Sequence, residues 1–344
     1  MRLAVDAMGG DHAPDAIVRG CVDALDLLDP DDRLVLVGDQ SEVNELLDEW
    51  GVADPRIEIE HAPDAIDMSE TPARAVRSKP DSSIVRMALL GSRKAEKPVD
   101  LVLSAGNTGA CVAAGMMHMR RLPGVHRPGI AVTIPAFSGP VVLCDAGANP
   151  EPKPTHLWQY ALMAETYARC TLGIERPRIG LMNIGSEEVK GSETVKIARD
   201  LCKATPDMNY VGFVEGRDFF SGGADVIITD GFLGNTLLKM AEGLAKSLFQ
   251  AIAAEIVETD PEMALQFEPV VKQIYKKNDY HETGGAPLLG VNGNMFIAHG
   301  SSEARTIRSA IRNSMEFVRR GVNDEIVRRL TDVQHIAEPA KESA

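Results

Sequence analysis

The sequence predicts an α/β protein built on a mostly parallel sheet covered by helices, and two observations carry that expectation. Short apolar runs that end in a small or polar residue and then glycine recur along the chain: RLAVDAMGG, LVLVGD, DLVLSAGNTG, VVLCDAGAN, RIGLMNIG, NYVGFVEG, DVIITDG and MFIAHG. Each reads as a buried strand entering a turn. Between them lie amphipathic stretches, most clearly Asn235 to Val257, where Leu237, Met240, Ala241, Leu244, Leu248, Phe249, Ile252 and Ile256 recur at spacings of three or four. That is a helix with one apolar face. Strands alternating with helices imply parallel pairing, because a parallel pair needs a crossover that a helix supplies.

With 344 residues, 44% hydrophobic and 25% charged, the chain has enough apolar surface to offset the entropy of ordering. It shows no Ser/Gly linker, low-complexity tract or internal repeat, so residues 1–336 are expected to form a single unit of two intertwined α/β subdomains. Residues 337–344, AEPAKESA, read as a frayed tail.

The balance of 36 Lys plus Arg against 50 Asp plus Glu gives a formal charge of −14, which repels nucleic acid. Any anion site must therefore rest on local donors. Five irregularly spaced cysteines without a CxxC pair fit a reducing cytoplasm. Asp6 interrupts the first apolar run, and no stretch reaches 18 consecutive apolar residues, so neither a signal segment nor a membrane span is expected.

In parallel sheets the ligand crevice lies beyond the carboxyl ends of the strands. The unusual residues collect there: DAMGGD (6–11), SAGNTGA (104–110), DAGANPEPKP (145–154), NIGSEEVKG (183–191), DGFLGN (230–235) and GGAPLLGVNGN (284–294). Glycine lets backbone N–H groups approach an anion, and a following helix adds unpaired donors. The candidate substrate- and phosphate-binding positions are Asp6, Gly9, Gly10, Asn107, Thr108, Asn149, Asn183, Glu187, Asp230 and Gly234. Each loop alone serves equally as a plain turn or cap. Signatures such as GxxxxGK(S/T), HExxH and GxSxG are missing, which disfavours ATP hydrolysis, zinc proteolysis and esterase chemistry.

Lys190 is either a cation that steadies a phosphate or a solvated lysine. Asn235 is either an oxyanion donor or the cap of its helix. The aspartates Asp6, Asp145 and Asp230 suit capping as well as ligand orientation, and His299 fits a hydrogen-bonded turn.

In their order and spacing these loops resemble the phosphate acyltransferase family of bacterial phospholipid synthesis, from about Leu3 to about Gly321. The most specific parts are DAMGGD, SAGNTGA, NIGSEEVKG, TDGFLGN followed by LLKMAEG, and GGAPLLG with AHGSS. The resemblance implies a three-layer, isocitrate/isopropylmalate-dehydrogenase-like fold and a homodimer. It also implies conversion of acyl-acyl-carrier-protein plus inorganic phosphate into acyl phosphate and free carrier. A membrane glycerol-3-phosphate acyltransferase would take the product, and a cytoplasmic enzyme would touch the inner membrane face. The family's catalytic lysine and asparagine fall on Lys190 and Asn235. No metal or organic cofactor is implied.

Arg120, Arg121 and Arg127, near His118 and His126, are the candidate surface for the acidic carrier, with an exposed basic helix end as the alternative. Met263, Leu265, Phe267, Val270 and Val271, within Asp260 to Lys277, are the candidate membrane contact, with a helix hairpin at a dimer interface as the alternative. Two rival functions stand beside this one: a phosphotransacetylase acting on acyl-CoA, and a catalytically silent scaffold for lipid-synthesis enzymes.

Overall fold

The computed structural model describes residues 1–136, 138–259, 269–270 and 284–337. The first half alternates β1 (Arg2–Asp6), α1 (Asp15–Asp23), β2 (Arg33–Gly38), α2 (Gln40–Glu49), β3 (Ile57–His61), α3 (Pro72–Ser78), α4 (Ser83–Leu90), β4 (Leu101–Ser104) and α5 (Thr108–Ala114). A π-helical turn, Gly115–Met119, extends α5. The second half comprises β5 (Gly129–Ile134), β6 (Val141–Cys144), α6 (Pro154–Leu172), β7 (Ile179–Met182), α7 (Glu193–Ala204), β8 (Tyr210–Val214), β9 (Val226–Ile228) and α8 (Gly231–Thr259). The chain then returns through β10 (Gly285–Leu289), β11 (Met295–Ala298), α9 (Ala304–Arg319) and α10 (Val322–Val333).

The described strands form one sheet in the order β3-β2-β1-β4-β11-β10-β5-β6-β9-β7-β8. Pairing is parallel from β3 to β11 and again from β6 to β8. At the centre, β10 is antiparallel to both β11 and β5, and β5 to β6. The two parallel blocks consequently run in opposite senses. The segment GGAPLLG, read from sequence as part of a loop, is largely strand β10, so that expectation is corrected here. Its glycines and proline hide a strand because their β propensity is low.

Strand alternation sends successive side chains to opposite faces, and the core follows this rule closely. Leu3, Val5, Leu34, Leu36, Leu101, Leu103, Val142, Ile179, Leu181, Val226 and Ile228 share one continuous core beneath α1, α2, α6, α7, α9 and α10. Their neighbours face the other way and divide. Ala4, Val35, Val37 and Val102 meet α3, α4 and α5, whereas Val141, Leu143 and Ile227 meet Leu233, Leu237 and Leu238 of α8. Half-buried Val132 of β5 packs against both groups and so links them. Helix α6 is buried continuously from Leu157 to Ala168, its polar Gln159, Glu165 and Thr166 included. Each large side chain in it, such as Trp158, contributes roughly 2–3 kcal/mol by burial.

Candidate active site

The reversal of strand direction sorts the glycine-rich loops into two groups. Loops after β1, β4 and β11 form the first, and loops after β6, β9 and β7 form the second. Helix α5 joins them: it starts at the first group, and its Ala110, Val112 and Ala113 share an apolar cluster with Ala146 and Ala148 of the second.

In the first group Asp6 is fully buried and accepts from Ser104 Oγ at 2.6 Å and from the Met8 N–H at 3.1 Å. Burial pushes its carboxyl upward, opposed by these donors and by Ser83 and the Gly9 N–H. A Cβ on Gly9 would sit 2.4 Å from Asp6 Oδ2 and 2.7 Å from Gly106 N, so the two loops touch backbone to backbone. The Asp11 N–H donates to the Gly300 carbonyl beside Gly10. Asn107 accepts from the Ala110 N–H and donates to the carbonyls of Asp67, Met68 and Glu70. Thr108 is exposed at the start of α5. His299 bonds Ser301 Oγ at 2.8 Å, as expected for a tight turn.

In the second group Asp145 organises its own loop. Its Oδ1 accepts from the N–H groups of Ile130, Gly147 and Ala148, and its Oδ2 from that of Asn149 at 2.7 Å. Burial pushes this carboxyl upward against those four donors. The Asn149 amide donates to the Pro128 carbonyl and to Tyr160 Oη, both at 2.7 Å. Asp230 caps α8 by accepting from the Leu233 N–H at 2.8 Å. Asn235 is therefore relieved of the capping role that the sequence left open. It lies exposed in the second turn of α8, with Gly147 so close that an added Cβ would come within 3.8 Å of the Asn235 Cβ. Gly231 and Gly234 permit this approach, since a Cβ on Gly234 would fall 1.9 Å from the Asp145 carbonyl oxygen.

The Lys190 loop follows β7, next to β9. Asn183 closes it by donating to the carbonyls of Gly185 and Lys190. Lys190 Nζ sits 2.8 Å from Glu187 Oε1, both side chains largely exposed, and its stem lies over Gly185. That pairing holds the Glu187 carboxyl below its usual range. Four loop asparagines were candidates on the sequence, besides the exposed Lys190. Three of the four have committed amides, and of these four Asn235 alone makes no amide hydrogen bond to a described residue.

The nearby thiols are poor nucleophiles. Burial pushes Cys111 up to about 12 and Cys144, beside Asp145, well above the normal thiol range, whereas reactive cysteines need a lowered value. No cluster of three or more His, Cys, Asp or Glu able to hold a metal occurs among the described residues.

Residues 1–325 match the model of the fatty acid synthesis protein family. The chain belongs to that family. It is 44% identical over 333 residues to the phosphate acyltransferase of Desulfitobacterium hafniense (strain DSM 10664 / DCB-2), covering 96% of this chain and 98% of that one. It is 41% identical over 336 residues to the phosphate acyltransferase of Dictyoglomus turgidum, covering 97% and 98%. The fold is shared with a phosphotransacetylase from Streptococcus pyogenes at 17% identity and a TM-score of 0.60, covering 92% of this chain and 94% of that one. A 4-hydroxythreonine-4-phosphate dehydrogenase from Klebsiella pneumoniae matches at 11% identity and 0.53, covering 92% and 99%. The α/β architecture with a mostly parallel sheet is thus the expected one.

Of the surface candidates, Arg120, Arg121 and Arg127 are exposed beside the start of α6. Met263, Leu265, Phe267 and Val271 lie outside the described residues, and Val270 is exposed. No helix among the described residues is long and apolar enough to cross a membrane. Sequence reasoning did not find Ser83, Ser104 and Tyr160 as the partners of Asp6 and Asn149, because no local pattern marks such long-range pairs.

Proposed function

We propose that this protein transfers the acyl group of acyl-acyl-carrier-protein to inorganic phosphate, giving acyl phosphate and free carrier. The observation that carries this is the uncommitted Asn235 amide, on a helix start adjacent to the loop that presents Lys190, in a chain whose relatives are named phosphate acyltransferases. A phosphate oxygen attacks the thioester carbonyl carbon, the C–S bond breaks and the carrier's sulfur leaves as thiolate. Because a thioester is already activated, no covalent nucleophile is needed, which suits the high thiol values. Lys190 neutralises the incoming phosphate, and the Asn235 amide donates to the carbonyl oxygen as it gains charge; such preorganised donors are worth about 3–4 kcal/mol each.

Helix α8 leaves Met240, Leu244, Leu248, Ile252 and Val257 exposed, which supports a homodimer that covers this stripe. The product would pass to a membrane glycerol-3-phosphate acyltransferase, with the 260–277 segment touching the inner face of the membrane. Flotation with anionic vesicles tests that contact, and recovery of all the protein in the lipid-free fraction would sink it.

The decisive assay is thiol release from long-chain acyl-acyl-carrier-protein with and without phosphate, trapping the product with hydroxylamine. Phosphate-dependent release with a trapped acyl group is expected. Release from acyl-CoA alone would favour the phosphotransacetylase reading, which the shared fold supports. Inertness toward both donors would leave the scaffold.

A further inference from the structure

We infer that the cations gathered where the Arg120–Arg127 loop meets the start of α6 form the docking surface for the acidic carrier protein that presents the thioester. This rests on the donor proposed above and extends the three arginines to a surface that includes Lys153 and His156. Arg120, Arg121, His126, Arg127 and Lys153 are exposed. The His126 and His156 rings lie edge to face at 6.1 Å. The one exposed acid close by in sequence is Glu151, since Asp145 is buried.

The surface is built rather than incidental. Gln159 of α6 accepts from the His126 N–H at 2.8 Å and donates to the Gly124 carbonyl at 2.8 Å, while Arg121 donates to the His126 carbonyl. These bonds fix the loop against the helix. Arg120 has φ +68°, ψ −166°, a conformation that only glycine adopts freely, at the exit of the π-helical turn. A non-glycine residue there costs on the order of 1–3 kcal/mol, and such strain gathers at functional sites. After burial, the positive field of His126, Arg127, Lys153 and Arg121 is what depresses His156, to about 4. The patch also continues directly from the Asp145–Asn149 loop, which faces Asn235.

The overall charge of −14 does not oppose docking at contact range. At physiological ionic strength, exposed charges beyond about 8 Å are largely screened, so the local cations decide which surface an acidic partner meets.

The test is steady-state kinetics of Arg121→Glu/Arg127→Glu with acyl-acyl-carrier-protein, at low and at 0.5 M salt. The expected result is a rise in KM for the carrier-bound donor of about tenfold at low salt, with kcat and the KM for phosphate unchanged and the difference shrinking at high salt. Arg120→Gly should raise the melting temperature while raising the same KM by roughly threefold, a combination that misfolding cannot produce. Wild-type KM in both variants would overturn the surface while leaving the donor intact. If wild-type enzyme acted on acyl-CoA alone, the donor reading would fail and the docking surface with it.

Discussion

Replacing Gly234 with alanine is the sharpest test of how α8 positions Asn235. The added Cβ would fall 1.9 Å from the Asp145 carbonyl oxygen, whereas real contacts hardly ever lie below 3.0 Å. The oxygen is backbone, held in a loop that four N–H bonds to Asp145 keep rigid, so the helix start must retreat by about 1.1 Å, the difference between those two distances. A displacement of that size at a reacting group costs on the order of 100-fold in rate. Stability changes less, because alanine recovers about 1 kcal/mol of helix propensity against about 1–3 kcal/mol of overpacking. Gly243→Ala in the same helix is the control, since its Cβ would meet nothing within 4 Å; it should stabilise by roughly 1 kcal/mol without touching the rate. The assay is phosphate-dependent thiol release, paired with thermal unfolding of both variants. Wild-type kcat/KM in Gly234→Ala would refute the claim that this backbone contact positions Asn235.

Lys190→Ala and Asn235→Ala should each lower kcat by about 100- to 1000-fold with melting temperatures near wild type, because both side chains are exposed; wild-type rates would remove them from the mechanism. Asp145→Asn, which turns an amide toward the Asn149 N–H, should cost about 2–3 kcal/mol in urea unfolding. Arg56 grips Asp54 through both carboxylate oxygens and holds it at about 2 against an ordinary 3.8. After solvent screening the lowered value means stability of about 1 kcal/mol or less that is complete above pH 3.8 and lost as pH falls through 2. Asp54→Asn should therefore weaken the protein at neutral pH, and its unfolding curve should converge with wild type near pH 2, which acid-titration circular dichroism would check.

Legibility of the fold tracked side-chain chemistry. The eight apolar runs ending at glycine became β1, β2, β4, β6, β7, β8, β9 and β11, and the Asn235 to Val257 periodicity became most of α8. The strands that escaped are β3, β5 and β10. Strand β3 is an edge strand whose IEIEH lacks a continuous apolar run, and β5 and β10 open with Gly129 and Gly285 and lie in the antiparallel centre. Missing that centre hid the reversal of direction, so one crevice was expected where the strand order makes two groups of loops. Lys190 and Asn235 were legible as unusual residues in loops. That Asn107 and Asn149 were already engaged was not, because the groups their amides bond sit 11 to 40 residues away in sequence.

An acidic protein holding phosphate has to keep its own carboxylates from competing, and the two buried aspartates show how. Asp6 and Asp145 sit at the ends of β1 and β6 and turn inward, each binding the backbone of its own loop. The N–H groups of Gly147, Ala148 and Asn149 are thereby committed to Asp145 and withdrawn from any anion. Glycine in this loop consequently serves close approach, letting α8 and Asn235 come against the Gly147 backbone, more than it serves as a phosphate cradle. On the function proposed above, charge for the phosphate comes instead from Lys190, which lies outside these networks in an exposed pair with Glu187 that solvent screens. An anion can displace that carboxylate at small cost, so phosphate affinity should follow Lys190 and be nearly indifferent to side-chain changes at Ala148.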